Sequence, residues 1–357
     1  MIKNFCFVCG HLFLLNTGAF TAEPPFAMGA DLSLISHLEA KGVKYKEDGV
    51  IKSGLQIFKD HGCNYVRLRL FVDPDGTIGQ VNTLAYTLDL AKKAKAQGMR
   101  FLLDFHYSDQ WADPNNQSIP AAWRALDEAA LQDQLRAYTR DTILTFKREN
   151  CAPEMVQIGN EINNGMMWPV GGPLTDSKKW EPLGKLLNAA AQGVKEADPN
   201  HEIIVMIHPA CGGDKPVSLW FFDNIVAQAV PFDIIGLTYY PFWNGKLENL
   251  AENMATLAER FNKDIYVVEC GKNWQGDAAA KPYPDTPAGQ LEFMESLIRT
   301  VRAVPGGRGK GVFYWSPDWI DSGKWLQPAE PGKAWEQRAL FDLEGNALPA
   351  LDAFRGK

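Results

Sequence analysis

Eight short apolar runs of strand length recur along the chain, and segments of helical periodicity lie between them. The runs are Phe26 to Leu32, Tyr65 to Phe71, Arg100 to Tyr107, Met155 to Glu161, Ile203 to His208, Phe232 to Tyr240, Ile265 to Cys270 and Gly311 to Ser316. Most are nearly continuous in hydrophobic residues, as strands covered on both faces are. Leu247, Leu250, Met254, Leu257, Ala258 and Phe261 fall on one face of a helix. Leu84, Leu88 and Ala91, then Leu131, Leu135 and Tyr138, repeat that pattern. Strand-helix alternation calls for a parallel sheet, either doubly wound and open or closed into a barrel. Eight repeats favour closure, and no Gly-rich phosphate loop follows the first run. The expected fold is α/β, a single (β/α)8 TIM barrel over residues 23–357. The length suits it, since one such barrel takes about 250 residues plus insertions. The Pro/Gly-rich stretches Pro169 to Pro173, Pro305 to Gly311 and Pro328 to Gly332 sit inside the rhythm and read as loops rather than linkers.

The N-terminus reads differently. Lys3 precedes an apolar run from Phe5 to Leu15, then come the small residues Thr17, Gly18 and Ala19. That is the layout of an export signal ending at Ala19 or Ala22, too short to span a bilayer. Residues 1–22 are therefore expected to leave, and the mature protein to be secreted or periplasmic. Cys6 and Cys9 would leave with them. Cys63, Cys151, Cys211 and Cys270 remain, with no zinc-binding spacing. One or two disulfides, or four buried thiols, are both compatible with that. The net charge of −7 gives no electrostatic reason to bind nucleic acid or an anionic membrane. A monomer without a cofactor is expected.

Function is written in where the polar residues fall. Each run stays apolar until its last positions, then turns polar or aromatic. The ends carry Asp31, then Arg67 and Arg69, then Asp104, His106 and Tyr107. Asn160 and Glu161 follow, then His208, Tyr239 and Tyr240, Glu269 and finally Trp315. In parallel barrels the active site lies at the C-terminal strand ends, so these residues should converge on one mouth. Two carboxylates close the fourth and seventh runs, which face each other across such a mouth. A glycosidic bond needs an acid on the leaving oxygen and a carboxylate under the anomeric carbon. Arg67 or Arg69 can keep Glu269 ionised, and Tyr240 can donate to it. Glu161 would act as acid with a raised pKa, and Asn160 would hold it or a sugar hydroxyl. A salt bridge of the two glutamates to the arginines is the purely structural alternative.

Ten of the eleven tryptophans, all but Trp220, lie at or after a strand's C-terminal end. They are Trp111, Trp123, Trp168, Trp180, Trp243, Trp274, Trp315, Trp319, Trp325 and Trp335. Flat rings suit the apolar faces of sugars, and a rim of them suits a polysaccharide groove. Asp109, Asp113 and Asn115 crowd one loop, as cation ligands or as a solvated hydrogen-bonded turn. No HExxH and no GxSxG occurs.

At these residues the chain resembles glycoside hydrolase family 53, the endo-β-1,4-galactanases. The matching segments are GADLS (29–33), NYVRLRLFVDP (64–74), LLDFHYSDQWADP (102–114), VQIGNEINNGMMWPVG (156–171), DIIGLTYYPFWNG (233–245), VVEC (267–270) and FYWSPDWI (313–320). The resemblance implies a (β/α)8 fold, retention of anomeric configuration and β-1,4-galactan of pectin as substrate. It places Glu161 at the acid/base position and Glu269 at the nucleophile position. It implies catalytic support from Arg67, His106, Asn160 and Tyr240, and a sugar groove with Asp109, Trp111, Trp168, Trp243, Trp315 and Trp319. Two departures stand out: Ser316 where the family usually carries Glu, and the run Cys270 to Trp274 after the nucleophile. Some bacterial members hold a structural calcium in the late loops, which no residue here places. Another retaining β-glycanase of the same clan, such as a mannanase or glucanase, and a non-catalytic carbohydrate-binding barrel are the competing expectations.

Overall fold

A computed structural model describes residues 25–77, 79–320 and 335–356. The expected export signal and Trp325 lie outside the described residues. Eight parallel strands close into a barrel: β1 (Ala27–Asp31), β4 (Tyr65–Leu70), β5 (Arg100–Phe105), β6 (Met155–Ile158), β7 (Ile204–Ile207), β8 (Ile234–Tyr239), β9 (Asp264–Cys270) and β10 (Gly309–Trp315). β1 closes the ring against both β4 and β10. All eight expected runs form strands. Two further strands among the described residues, β2 (Tyr45–Glu47) and β3 (Val50–Lys52), make a hairpin outside the barrel. Its turn residues Asp48 and Gly49 both have positive φ, 50° and 75°, which matches the strand twist of a two-residue hairpin.

Among the described residues, eight α-helices cover the ring: α1 (Ile35–Ala40), α2 (Gly54–Asp60), α3 (Leu84–Ala96), α4 (Glu128–Arg148), α5 (Trp180–Ala197), α6 (Lys215–Ala227), α7 (Leu247–Phe261) and α8 (Pro287–Arg302). Their starts are fixed locally. Thr83, Asp127, Asp214 and Thr286 each accept a hydrogen bond from a backbone N–H of the first turn of α3, α4, α6 and α8, satisfying donors the helix leaves free. The apolar stripe expected on α7 is the packed one, with Leu250, Met254, Leu257 and Ala258 buried.

Inside the ring, composition changes with height. Near the strand starts, Tyr65, Leu102, Met155, Met206, Ile234, Tyr266 and Phe313 form an apolar floor. Gly29 belongs here because a Cβ on it would lie 2.2 Å from the Phe313 ring. Above the floor Asp31, Arg67, Asp104, Gln157 and His208 are all fully or almost fully buried. A polar layer of this kind is tolerable only if its groups satisfy one another. Cys63, Cys151, Cys211 and Cys270 are buried and free, so no disulfide joins them. Among the described residues, no helix is long and apolar enough to cross a membrane.

Candidate active site

The polar layer is organised by one guanidinium. Arg67, on β4, contacts Asp31 from β1 and Asp104 from β5, each at 2.9 Å. It reaches Glu269 from β9 at 2.9 Å and donates to Asn160 Oδ1 at 2.7 Å. Four elements thus converge on a side chain that is 1% exposed. Asn160 in turn donates to the Ala112 carbonyl at 2.8 Å, which fixes its amide orientation. His106 is held the same way. Its Nδ1 accepts from the Ala112 N–H at 3.1 Å, leaving the proton on Nε2, 3.1 Å from Asp104.

Glu161 and Glu269 face one cavity of about 610 Å³ at the barrel mouth. Glu161 lies three residues beyond β6, not at its end, and adopts the left-handed conformation with φ 49° and ψ 47°. Such backbone is costly for a non-glycine residue and is concentrated at functional sites. One carboxyl oxygen of Glu161 accepts from Thr238 Oγ1 at 2.8 Å. Glu269 accepts from the Tyr240 hydroxyl at 3.4 Å, besides its pairing with Arg67. The two carboxyls therefore sit in unequal surroundings, one beside a cation and a phenol, the other beside a neutral alcohol.

Burial pushes both carboxyls up, and Glu161 adds to the rise of Glu269. For Glu161 burial is the largest cause, opposed by the Thr238 hydrogen bond and reinforced by Asp113, and the result is about 7. For Glu269 burial is again largest, with Arg67 opposing it and Glu161, Asp104 and Asp31 adding to it. The pair titrates as a unit. Arg67 and Tyr240 both favour the charged form of Glu269, so the shared proton resides on Glu161.

The cavity wall matches the expected groove in part. Trp111, Trp243, Trp315, Trp319 and Trp335 line it, together with His106, Asn160 and Tyr240. Arg69 lies 4.5 Å from the Trp111 ring centre and 5.8 Å from that of Trp315, a cation against two indoles of the cavity wall. Trp168 lies outside this wall: its indole N–H donates to the Asn164 carbonyl at 3.0 Å. Asp109 is also elsewhere, accepting from the Asp73 and Ala121 amides at 3.0 and 2.7 Å as a loop brace. Trp123 and Trp180 are buried against Tyr138 and Phe221, as packing rather than rim. The Asp113 loop closes on itself, with Asp113 accepting from the Asn115 and Asn116 amides. Among the described residues no cluster of three or more His, Cys, Asp or Glu could hold a metal ion.

Two site residues, Gln157 and Thr238, escape sequence reading, and Asp113, read there as part of a loop, has a role at the site. Gln157 lies under Asn160, Thr238 touches Glu161, and Asp113 raises its pKa. Gln157 carried a signal, being the lone polar residue within the four-residue strand MVQI. The departures from the family pattern also find places. Ser316 is buried with φ 44°, and Asp318, two residues on, is buried with its carboxyl pushed up to about 8, by burial first and then by Asp31. Lys272 is buried in an ion pair with Asp285, and the Trp274 indole donates to the Glu336 carbonyl, so neither lines the groove.

A (β/α)8 barrel with two unequal glutamates across an aromatic groove defines a glycoside hydrolase. The chain belongs to glycosyl hydrolase family 53, whose profile matches residues 27–354. It is 38% identical over 351 residues to an uncharacterized protein of Niallia circulans, covering 93% of this chain and 94% of that one. It is 33% identical over 343 residues to the arabinogalactan endo-β-1,4-galactanase of Humicola insolens, covering 91% and 98%. The solved catalytic domain of a family 53 enzyme from Ignisphaera aggregans superposes with a TM-score of 0.82 at 34% identity, covering 94% and 97%.

Proposed function

We propose that this protein is a retaining endo-β-1,4-galactanase acting on the β-1,4-galactan side chains of pectin. The observation that carries the reading is the asymmetry of the glutamate pair. Glu269, held by Arg67 and Tyr240, attacks the anomeric carbon as a carboxylate. Glu161, which keeps the proton, gives it to the leaving oxygen and then takes one from the water that hydrolyses the glycosyl-enzyme. Retention by this route needs the two carboxyls about 5–5.5 Å apart. Asn160 and His106 position the site, Tyr240 donates to the nucleophile, and Trp111, Trp243, Trp315 and Trp319 stack the sugars. The chemistry rests on the two carboxyls and calls for no cofactor.

An endo mode is supported by a second cavity of about 570 Å³ that adjoins the first and shares Ala210, Trp243 and Asn244 with it. The substrate assignment follows the galactanase relatives. It is tested by incubating the protein with pectic β-1,4-galactan, mannan and β-glucan and sizing the products. Short galacto-oligosaccharides from galactan alone are expected. Cleavage of mannan or β-glucan instead overturns the substrate, and no turnover of any glycan overturns catalysis in favour of a binding barrel. Residues 1–22 serve as the export signal in this reading. N-terminal sequencing of protein recovered from the medium or periplasm should begin after Ala19 or Ala22.

A further inference from the structure

Behind Glu161 runs a line of hydrogen bonds that the mechanism above does not use. Thr238, on β8, lies between Glu161 and His208. Its Oγ1 is 2.8 Å from Glu161 Oε1 and 2.8 Å from His208 Nε2. His208 Nδ1 is 2.9 Å from Gln157 Nε2. His208 is completely buried and Thr238 is 3% exposed.

The partners decide where each hydrogen sits. Gln157 Nε2 also lies 2.6 Å from Asp104 Oδ1, 3.1 Å from Asn160 Oδ1 and 3.3 Å from the Gly159 carbonyl, all acceptors. That nitrogen is therefore the donor end of the amide. Asn160 Oδ1 at 3.2 Å is the other neighbour of His208 Nδ1, and it already accepts from Arg67 at 2.7 Å. The shorter contact governs: Gln157 donates to Nδ1. Burial and the Arg67 charge push the imidazole well below its ordinary pKa, so the ring is neutral with a single proton. That proton sits on Nε2 and points at Thr238. With one lone pair engaged by His208, the Thr238 hydroxyl has its own hydrogen aimed at Glu161 Oε1. A proton on Oε1 would meet that hydrogen head-on.

We propose that Thr238, locked by neutral His208, is a positioning residue that confines the acid proton of Glu161 to Oε2. The consequence is directional. Oε1 can only accept, so the proton resides on the other oxygen, the one left for the leaving group. The charged groups around Glu161 act on how tightly the proton is held: Asp113, Asp104 and Glu269 favour it, Arg67 opposes it. The Thr238 hydroxyl, which donates to Oε1, is what selects between the two oxygens.

This inference rests on Glu161 being the acid, and the test separates the two. Thr238→Val removes the hydroxyl at nearly constant volume, and Thr238→Ala is the smaller second variant should Val perturb folding. Thr238→Ser keeps the donor. Each is compared with the unaltered protein on galactan and on a dinitrophenyl β-galactobioside, whose leaving group scarcely needs protonation. Thr238→Val should lower kcat on galactan by about tenfold or more, with KM within about twofold. Glycosylation by the dinitrophenyl substrate, read as a burst, should stay within about twofold. The alkaline limb of the galactan pH profile should move up by about one pH unit, because a hydrogen bond to the carboxylate is lost. Thr238→Ser should restore rate and limb. An equal fall on both substrates, an unmoved limb, or a Ser variant as impaired as Val overturns the proposal. If the unaltered protein ignores galactan but turns over the aryl substrate, the substrate reading fails instead.

Discussion

Glu161→Gln is the substitution that tests the proton count of the glutamate pair. In the unaltered protein, productive enzyme needs Glu269 charged and Glu161 protonated. With Glu161 near 7, about 90% of the molecules carry its proton at pH 6 and about 10% at pH 8. Galactan kcat/KM should therefore fall about tenfold between those two values. Glutamine has no proton to lose and none to give. Galactan hydrolysis should collapse, while the glycosylation burst from a dinitrophenyl β-galactobioside should persist and lose its alkaline fall. The acid limb belongs to Glu269 gaining a proton. It should not move up, because the substitution removes the Glu161 charge that raises Glu269. Burst rates from pH 5 to 9 on both proteins read all of this. A tenfold alkaline fall that survives in Glu161→Gln would assign the limb to another group and refute the reasoning. Asp318, buried and raised to about 8, would then be the group to examine.

The roles of the two glutamates should also show in stereochemistry: with azide, Glu161→Ala should yield the β-glycosyl azide and Glu269→Ala the α-azide, distinguished by NMR of the product. Arg67→Met leaves Asp31, Asp104 and Glu269 without their common cation, and should cost about 3–5 kcal/mol in denaturant unfolding at neutral pH. Trp243 is 59% exposed at the junction of the two cavities. Trp243→Ala should raise KM for galactan about threefold to tenfold and leave the melting temperature in place. Because Cys63, Cys151, Cys211 and Cys270 are free and buried, reductant should not shift the melting temperature, and all four should react with an alkylating agent once the protein is unfolded without reductant.

The barrel was legible because parallel strands buried on both faces leave a strong trace, eight apolar runs in step with eight helical stripes. Strand ends were less so. Glu161 reads as the last residue of a run, yet β6 stops at Ile158 and the next three residues turn away. Gly159 at φ 102° and Glu161 at φ 49° make that turn, and hydrophobic pattern does not encode it. The β2–β3 hairpin carries an Asp-Gly turn signal, but its strands are three residues each, too short to show alternation. Tryptophan identity was the weakest guide. Trp123 and Trp180 belong to the core and Trp243 to the groove, and only tertiary packing separates them. Thr238 lies in an apolar strand beside Tyr239 and Tyr240, and its importance comes wholly from what β6 and β7 bring against it.

The charge at the barrel mouth explains why the pair is asymmetric at all. Four carboxyls, Asp31, Asp104, Glu161 and Glu269, are gathered in or above a layer with little access to water. Arg67 contacts three of them within 2.9 Å, but Glu161 is not among its ion pairs. Asp104 has two further partners, His106 and Gln157, and Arg67 and His106 hold its carboxyl below the usual carboxylate range despite burial. Among the described residues, the carboxyl left without a cation in contact is the one that keeps a proton, because desolvation penalises its charged form with little to offset it. The network that satisfies the barrel's polar layer thus also leaves Glu161 as the carboxyl that keeps its proton. Any substitution that brings a cation to Glu161, or removes the one on Glu269, should erode the distinction between the two glutamates before it disturbs the fold of the floor beneath them.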